Sequence, residues 1–126
     1  MTRFRGTPIE GATVLVTGAN RGLGLAFVQQ AKSMGAAKIY AGVRNPDEAP
    51  AELRSTGAHI VELDVTDPGL IDAAARACGD TTVVVNNAGL WLFKPILETT
   101  LDDWRRLHAV NVEGVFLGTR AAIPLL

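Results

Sequence analysis

A glycine-rich turn between an apolar run and a helical pattern constrains the fold of this chain most strongly. Residues 12–17 (ATVLVT) carry no charged side chain, which predicts a strand that is covered on both faces. The turn itself spans residues 17–24 (TGANRGLG), and a helical pattern then continues to Gly35. The apolar positions of that pattern are Leu23, Phe27, Ala31 and Met34.

Glycines in such a turn let the main chain come close to a pyrophosphate group and adopt positive φ angles. The helix that follows presents free N–H groups and the positive end of its dipole to the phosphates. The turn therefore predicts a nucleotide-binding site. A strand-to-helix connector without a ligand is the alternative interpretation.

Strands and helices alternate along the rest of the chain. Apolar and β-branched runs predict strands over residues 38–43, 59–65 and 82–86. Residues 46–56 form a loop and a short helix in this prediction, and the next helix is capped by Thr66 and Asp67 and ends at Gly79. This order predicts one α/β domain over residues 1–126, with a doubly wound parallel sheet and right-handed crossovers.

Two further helices are predicted near the end of the sequence. Thr100 and Asp103 have the spacing of a capping box, and a bend near Asn111 separates the helix that they open from the last one. The last helix carries an apolar stripe. The stripe consists of Val112, Val115, Phe116, Thr119, Ala122, Ile123 and Leu126.

Composition narrows the classes of function. Lys and Arg number 12 against 13 Asp and Glu, which excludes the basic excess that nucleic-acid binding needs. The first residues, with Arg3 and Arg5, lack a signal-peptide pattern, and no run is long enough to span a membrane. Cys78, the single cysteine, is predicted to be a buried structural residue, and no spacing indicates a metal site. We expect a soluble cytoplasmic protein.

Two motifs about seventy residues apart closely resemble those of the short-chain dehydrogenase/reductase family. The first is Thr17 with Gly18-x-x-x-Gly22-x-Gly24, and the second is NNAG at residues 86–89. Asp64 with Val65, and Asn111 within HAVNVEG, extend the resemblance over nearly the whole chain. It implies a Rossmann-type fold, hydride transfer between a nicotinamide cofactor and a small carbonyl or alcohol substrate, and a homo-oligomer in the complete enzyme.

The resemblance also implies roles for individual residues. Asp64 would face the adenine amino group with the backbone of Val65 beside it, and Asn111 matches the catalytic Asn, whose helix bend holds a water. The phosphate-contacting residues would be Gly18, Asn20, Arg21, Gly22, Leu23 and Gly24. The residues that line the riboses would be Asn86, Ala88 and Gly89, while Asn87 would tie strand four to its neighbours. A helix-capping carboxylate is the alternative for Asp64, and a polar kink between helices is the alternative for Asn111.

Arg44 favours NADP(H) over NAD(H). NAD-binding domains place an acidic residue about twenty positions after the glycine turn, where it binds the ribose 2′-hydroxyl. This chain has Arg44 at that point, and its guanidinium can pair with a 2′-phosphate that Arg21 approaches from the turn. Asp47 and Glu48 come later and are predicted to be loop carboxylates. The alternative is that both arginines are solvated surface residues.

The family's remaining catalytic groups, a Ser at the end of strand five and a Tyr-x-x-x-Lys on the next helix, normally follow the Asn helix, and no Tyr-x-x-x-Lys occurs in these residues. The single tyrosine is Tyr40, a predicted strand residue that is followed four positions later by Arg44. We therefore expect the chain to be the N-terminal portion of a longer domain, truncated after about four strands and the helix following Asn111, and to be inactive alone. The alternative is a complete, non-catalytic nucleotide-binding or interaction module that uses residues 83–85 and 112–126 to bind a partner.

Three further groups of residues have no assigned chemistry. Residues 91–93 (WLF) follow the NNAG motif and either line an apolar substrate site or pack in the core. His59 and His108 have no recognisable catalytic partner and are predicted to be structural or solvated.

Overall fold

Four parallel strands form a single sheet in the order β3-β2-β1-β4. In this computed structural model, which describes residues 6–126, β1 spans Thr13–Thr17, β2 Lys38–Val43, β3 His59–Glu62 and β4 Val83–Val85. The prediction of a doubly wound parallel sheet is confirmed, because consecutive strands β1, β2 and β3 run outward on one side and β4 returns to the other side of β1. Residues 1–5, with Arg3 and Arg5 of the signal-peptide prediction, lie outside the described residues.

Within residues 6–126, five α-helices connect and follow the strands. They are α1 Gly22–Ser33, α2 Ala51–Arg54, α3 Pro68–Ala77, α4 Leu101–His108 and α5 Gly114–Ala122. Single 3₁₀ turns cover Pro46–Glu48, Ile96–Glu98 and Ile123–Leu125. A π-helical turn, Ala109–Glu113, joins α4 directly to α5. The predicted bend near Asn111 is thus a widened helical turn, the local device that is often found at functional sites.

Helices cover both faces of the sheet, and each face has its own core. Val14, Val16 and Ile39 point to the face that α1 and α2 cover, with Val28 and Leu53 packed against them. Leu15 and Tyr40 point to the opposite face, where α3 and α5 pack. Neighbouring residues in a strand alternate between faces, so short apolar strands feed two cores at once.

Cys78 is fully buried in the second core, as the sequence predicts. Burial raises the pKa of its thiol, which keeps the side chain uncharged and apolar in character. Cys78 therefore contributes packing to the second face of the sheet.

Of the four apolar positions that the sequence indicates for α1, only Ala31 is buried. Leu23 and Met34 are largely exposed, and Phe27 is 42% exposed. The buried face consists of Gly24, Leu25, Val28 and Ala31, which share helical spacing as well. Small residues on this face let the helix axis come closer to the sheet than the larger alternative would allow.

Most of the stripe along α5 and its flanking turns likewise faces away from the sheet. Val112, Phe116 and Ile123 are more than half exposed, whereas Ala122 of the same stripe is buried together with Gly114. Leu117 and Ala121 pack on the sheet beside them. The helix thus has an inner face of small and medium residues and an outer apolar face that nothing covers within residues 6–126.

β3 ends earlier than the predicted residue 65. The Leu63 N–H still donates to the Val43 carbonyl at 2.8 Å, but the Asp64 carboxylate then accepts from the Thr66 N–H at 2.9 Å and turns the chain out of the sheet. Asp67 caps α3 by accepting from the N–H groups of Gly69 and Leu70, and Pro68 is the first helical residue. Thr66 is therefore not the cap.

The predicted capping box of α4 is present and includes a salt bridge. Asp103 accepts from the Thr100 N–H at 3.0 Å and from the Lys94 ammonium at 2.8 Å, while Thr100 Oγ1 accepts from the Asp103 N–H. The bond from Lys94, followed by those from Thr100, lowers the pKa of Asp103 from 3.8 to about 2.

We predict that Asp103→Asn lowers thermal stability above about pH 4 and that the difference from the unmodified chain closes as the pH falls toward about 2. A depressed folded-state pKa stabilises the fold while the carboxylate is ionised, and this contribution is lost on protonation. Melting curves by circular dichroism between pH 2.5 and 7 measure the difference. Asp102→Asn, which removes the same charge in the same helical turn and leaves the bonds from Lys94 and Thr100 in place, is the control. A constant difference for Asp103→Asn across this range contradicts the prediction.

Candidate functional site

A cleft of about 550 Å³ opens at the carboxyl ends of the strands. The strand order reverses between β1 and β4 at this edge, where open α/β sheets bind ligands. The lining residues come from the glycine turn, from the segments after β2, β3 and β4, and from the end of α4. They are Gly18, Asn20, Arg21, Gly22, Leu23, Arg44, Leu63, Asp64, Val65, Thr66, Asn87, Ala88, Gly89, Leu90, Arg106, Ala109 and Val110.

All but two of the sequence-predicted cofactor residues line this cleft. The two exceptions are Gly24, which lies beneath the glycine turn, and Asn86, which lies on the other side of the sheet. Residues up to seventy positions apart in the sequence are thus brought together around one opening. Their individual roles in binding stay predictions.

Gly24 and Gly18 permit the close packing that shapes the turn. A Cβ atom on Gly24 would overlap the Gly18 carbonyl oxygen and would stand 2.6 Å from the Asn87 side-chain nitrogen. Gly18 has a φ of +62°, and a Cβ there would stand 2.9 Å from Ala88 Cα. The start of α1, the end of β1 and the segment after β4 therefore pack main chain against main chain.

Thr17 and Asn87 hold the ends of β1 and β4 together. Thr17 Oγ1 accepts from the N–H groups of Asn87, at 3.0 Å, and Ala88, at 2.9 Å. The Asn87 side chain donates to the carbonyls of Thr17, at 3.1 Å, and Gly18, at 3.3 Å. The prediction that Asn87 ties strand four to its neighbours is confirmed.

Asn86 does not reach the cleft. Its side chain donates to Thr119 Oγ1 at 3.2 Å, and its Oδ1 would lie 2.8 Å from a Cβ on Gly118. Successive residues of a strand point to opposite faces, so Asn86 and Asn87 diverge. Asn86 links β4 to α5, and its predicted ribose contact finds no support in this geometry.

Asn111 fixes one wall of the cleft. Its side chain donates to the Leu90 carbonyl at 2.8 Å and accepts from the Leu90 N–H at 2.7 Å. Both ends of the amide are therefore engaged by the main chain next to Gly89 and Ala88. Asn111 lies within the π-helical turn, so this turn and the segment after β4 are positioned together.

Positive charge predominates around the cleft. Arg21, Arg44 and Arg106 line it against a single carboxylate, Asp64. The Asp64 carboxylate accepts from Thr66 Oγ1 at 2.6 Å and from the Thr66 N–H, and these bonds, with nearby Arg44, lower its pKa. Asp64 is therefore ionised at neutral pH. The alternative that it caps α3 is wrong, because Asp67 performs that role.

Sequence reasoning missed the helical wall of the cleft. Arg106 belongs to no motif, and Ala109 and Val110 were given no role although they lie within HAVNVEG; their spacing of three and four residues from Arg106 places them on one face of a helix. Asn111, directly after Val110, was the available signal. Leu63 and Leu90 were also missed, and each adjoins a residue that the sequence does identify.

The aromatic segment after β4 projects into solvent. Trp91 is 85% exposed and Phe93 is 91% exposed, with their rings 6.0 Å apart. The alternative that residues 91–93 pack in the core is therefore wrong for both aromatic rings. The apolar substrate site that they would line stays a prediction.

Tyr40 belongs to the end of the sheet away from the cleft. Its hydroxyl donates to Asp80 at 2.8 Å, before β4 begins, and the same carboxylate pairs with Lys38 at 2.6 Å. The bond to Asp80, with burial, raises the pKa of Tyr40. It is a structural strand residue, as the sequence predicts.

Residues 6–126 contain neither a membrane-spanning helix nor a metal-binding cluster. None of the helices there combines the length and the apolar character that a membrane crossing requires. No cluster of three or more His, Cys, Asp or Glu side chains in that range is arranged to hold a metal ion.

The sequence pattern of the short chain dehydrogenase family matches residues 12–126. An NADP-dependent (R)-specific alcohol dehydrogenase from Lentilactobacillus kefiri is 36% identical over 123 residues, which are 91% of this chain and 48% of that protein. A short chain dehydrogenase from Burkholderia cenocepacia in complex with NADP superimposes with a TM-score of 0.83 at 35% identity, over 95% of this chain and 50% of that one.

A 3-ketoacyl-(acyl-carrier-protein) reductase from Brucella melitensis complexed with NADH superimposes with a TM-score of 0.81 at 30% identity, covering 92% of this chain and 50% of that one. The chain thus spans about half the length of the relatives that it matches.

We predict that Thr17→Val destabilises the fold by about 1–3 kcal/mol, because the partly buried Ala88 N–H loses its acceptor. The Asn87 N–H keeps a second acceptor, the Val85 carbonyl. Thr17→Ser keeps the hydroxyl and should cost clearly less. Urea unfolding of the two variants measures the difference, and equal losses would show that the hydroxyl is not what matters.

Proposed function

The chain belongs to the short chain dehydrogenase family, and on that premise we propose that it carries the NADP(H)-binding site of an oxidoreductase acting on a small carbonyl or alcohol substrate. The observation that carries the proposal is the cleft, in which the glycine turn and two arginines of the predicted set meet. Bound NADP(H) supplies the hydride, or accepts it in the reverse direction. The residues of this chain bind and orient the cofactor.

The start of α1 fits a diphosphate. Arg21 precedes the helix without a side-chain cap, and the first turn has no acidic residue, so its N–H groups are open to an anion. Gly22 has a φ of +55°, and nothing lies within 4 Å of where its Cβ would stand. A phosphate can therefore approach the main chain of the turn directly.

Arg44 and Arg21 favour the 2′-phosphate of NADP(H). Both line the cleft and both are exposed, so they can pair with a phosphate without a large cost of desolvation. The dehydrogenases from L. kefiri and B. cenocepacia support NADP, while the B. melitensis reductase shows that relatives of this fold also take NADH. The preference therefore rests on Arg44.

In this proposal, Asn111 is the residue of this chain that takes part in catalysis, and the other site residues bind the cofactor. Its amide is engaged by Leu90, so a contribution to proton transfer would come through the main chain of the π-helical turn. Tyr40 cannot replace the family's catalytic tyrosine, because its hydroxyl bonds to Asp80 away from the cleft. The 126 residues therefore bind the cofactor without turning over a substrate.

A role in protein association is the second candidate. The outer face of α5 exposes Val112, Phe116 and Ile123, a larger apolar surface than a solvated helix needs. In a complete enzyme this face would contact another subunit, in line with the expected homo-oligomer. In a non-catalytic module it would contact a different partner.

We predict that the chain binds NADPH more tightly than NADH and that Arg44→Gln weakens NADPH binding by about tenfold, with a much smaller change for NADH. Loss of a charge-assisted pair to the 2′-phosphate accounts for this factor. Isothermal titration calorimetry with both cofactors measures it. Arg76→Gln, an exposed arginine of α3 away from the cleft, is the control for net charge. Tighter binding of NADH by the unmodified chain would refute the role of Arg44.

We predict no turnover of carbonyl or alcohol substrates by the purified chain at its verified intact mass. Cofactor absorbance at 340 nm, followed with a panel of ketones and secondary alcohols, is the measurement. A rate above that of the heat-denatured chain would show that another group serves as the acid or base.

A further inference from the structure

One wall of the cleft has no assigned role. Arg106, Ala109 and Val110 line it from the end of α4 and the turn that follows. The same helical run packs against the opposite segment further on, since a Cβ on Gly114 would stand 2.8 Å from Val65 Cγ2. The start of α5, one helical turn after Val110, is therefore held next to the residues that follow β3.

Apolar side chains line the cleft next to Asp64 and next to Arg106. Leu63 and Val65 line it from the segment after β3, and Ala109 and Val110 line it from the helix. The ionised Asp64 lies between Leu63 and Val65 and is a hydrogen-bond acceptor, with Arg44 near it. Apolar walls with one hydrogen-bond acceptor suit a flat heterocyclic base better than a phosphate group.

Arg106 is the charged residue of the helical wall. Within residues 6–126, neither of the two ion pairs nor any side-chain hydrogen bond of the structure engages its guanidinium. Arg105 is equally exposed, but it does not line the cleft, because successive residues point about 100° apart around a helix. The two arginines therefore differ in position while sharing charge and exposure.

We propose that Arg106 stacks on the adenine ring of the bound dinucleotide and holds the ring against the apolar side chains that line the cleft next to Asp64. A guanidinium group is planar and weakly hydrated, and it stacks on aromatic faces, where a cation is attracted to the π-system. This assignment rests on the proposed function and adds a residue that determines affinity for the adenine half of the cofactor. It also distinguishes Arg106 from Arg44, which recognises the 2′-phosphate.

The test compares Arg106→Gln with Arg105→Gln in calorimetric titrations with NADPH and with NADH. Adenine is common to both cofactors, so Arg106→Gln should weaken both by the same factor, roughly three- to tenfold. Arg105→Gln removes the same charge from the same helix and should change each affinity less than about twofold. Matching melting curves establish that the two variants fold alike.

Each other outcome overturns the assignment. Equal affinities for the Arg106 and Arg105 variants would show that Arg106 makes no contact with the cofactor. A loss confined to NADPH would place Arg106 on the 2′-phosphate and not on adenine. If the unmodified chain binds neither cofactor, the proposed function itself fails, whereas normal binding that Arg106→Gln leaves unchanged removes only this inference.

Discussion

The main-chain contact between Gly18 and Gly24 is the constraint on which the rest of the site depends. With hydrogen at both positions, the first turn of α1 comes down onto the end of β1 and leaves room for Ala88 beside it. Thr17 and Asn87 then lock β1 to the segment after β4 through four hydrogen bonds. The N–H groups at the start of α1, the cleft floor and the wall after β4 all take their positions from this one contact.

The residues that line the cleft offer two kinds of chemistry. The glycine turn offers main-chain donors, and Arg21 and Arg44 add positive charge, whereas Leu63, Val65 and Val110 add apolar side chains beside the ionised Asp64. A dinucleotide combines the same two kinds of group, with charged phosphates in its middle and a flat base at its end. The local chemistry is therefore compatible with the class of ligand that we propose on the basis of the family.

Much of the fold and most of the cleft follow from the sequence, because strands, caps and glycine turns are local signals. Strand β2 at Lys38–Val43 and the capping box at Thr100 lie where the sequence patterns predict them. Helix faces are less predictable, because an apolar stripe does not say whether it meets the sheet or a surface. On α1 the small residues Gly24 and Ala31 lie inward because close packing outweighs side-chain size.

The same limit explains why Asn86 lies apart from the cleft and why Arg106 was not predicted to line it. Whether Asn86 or Asn87 faces the cleft depends on the parity of a strand of three residues, and Arg106 enters the cleft through the packing of two helices and not through a motif. Both positions are determined by tertiary packing. A short pattern reports which groups follow a strand, but not which of them points to the ligand.

The topology of the sheet has a consequence for the order of folding. β1 and β2 pair across a single connecting helix, but β4 reaches β1 only after a chain loop of more than sixty residues has closed. Closing a longer loop costs more entropy and slows the step. We expect the first three strands to assemble early and the cleft to form last. The chain would then be able to bind a cofactor only after β4 has paired with β1.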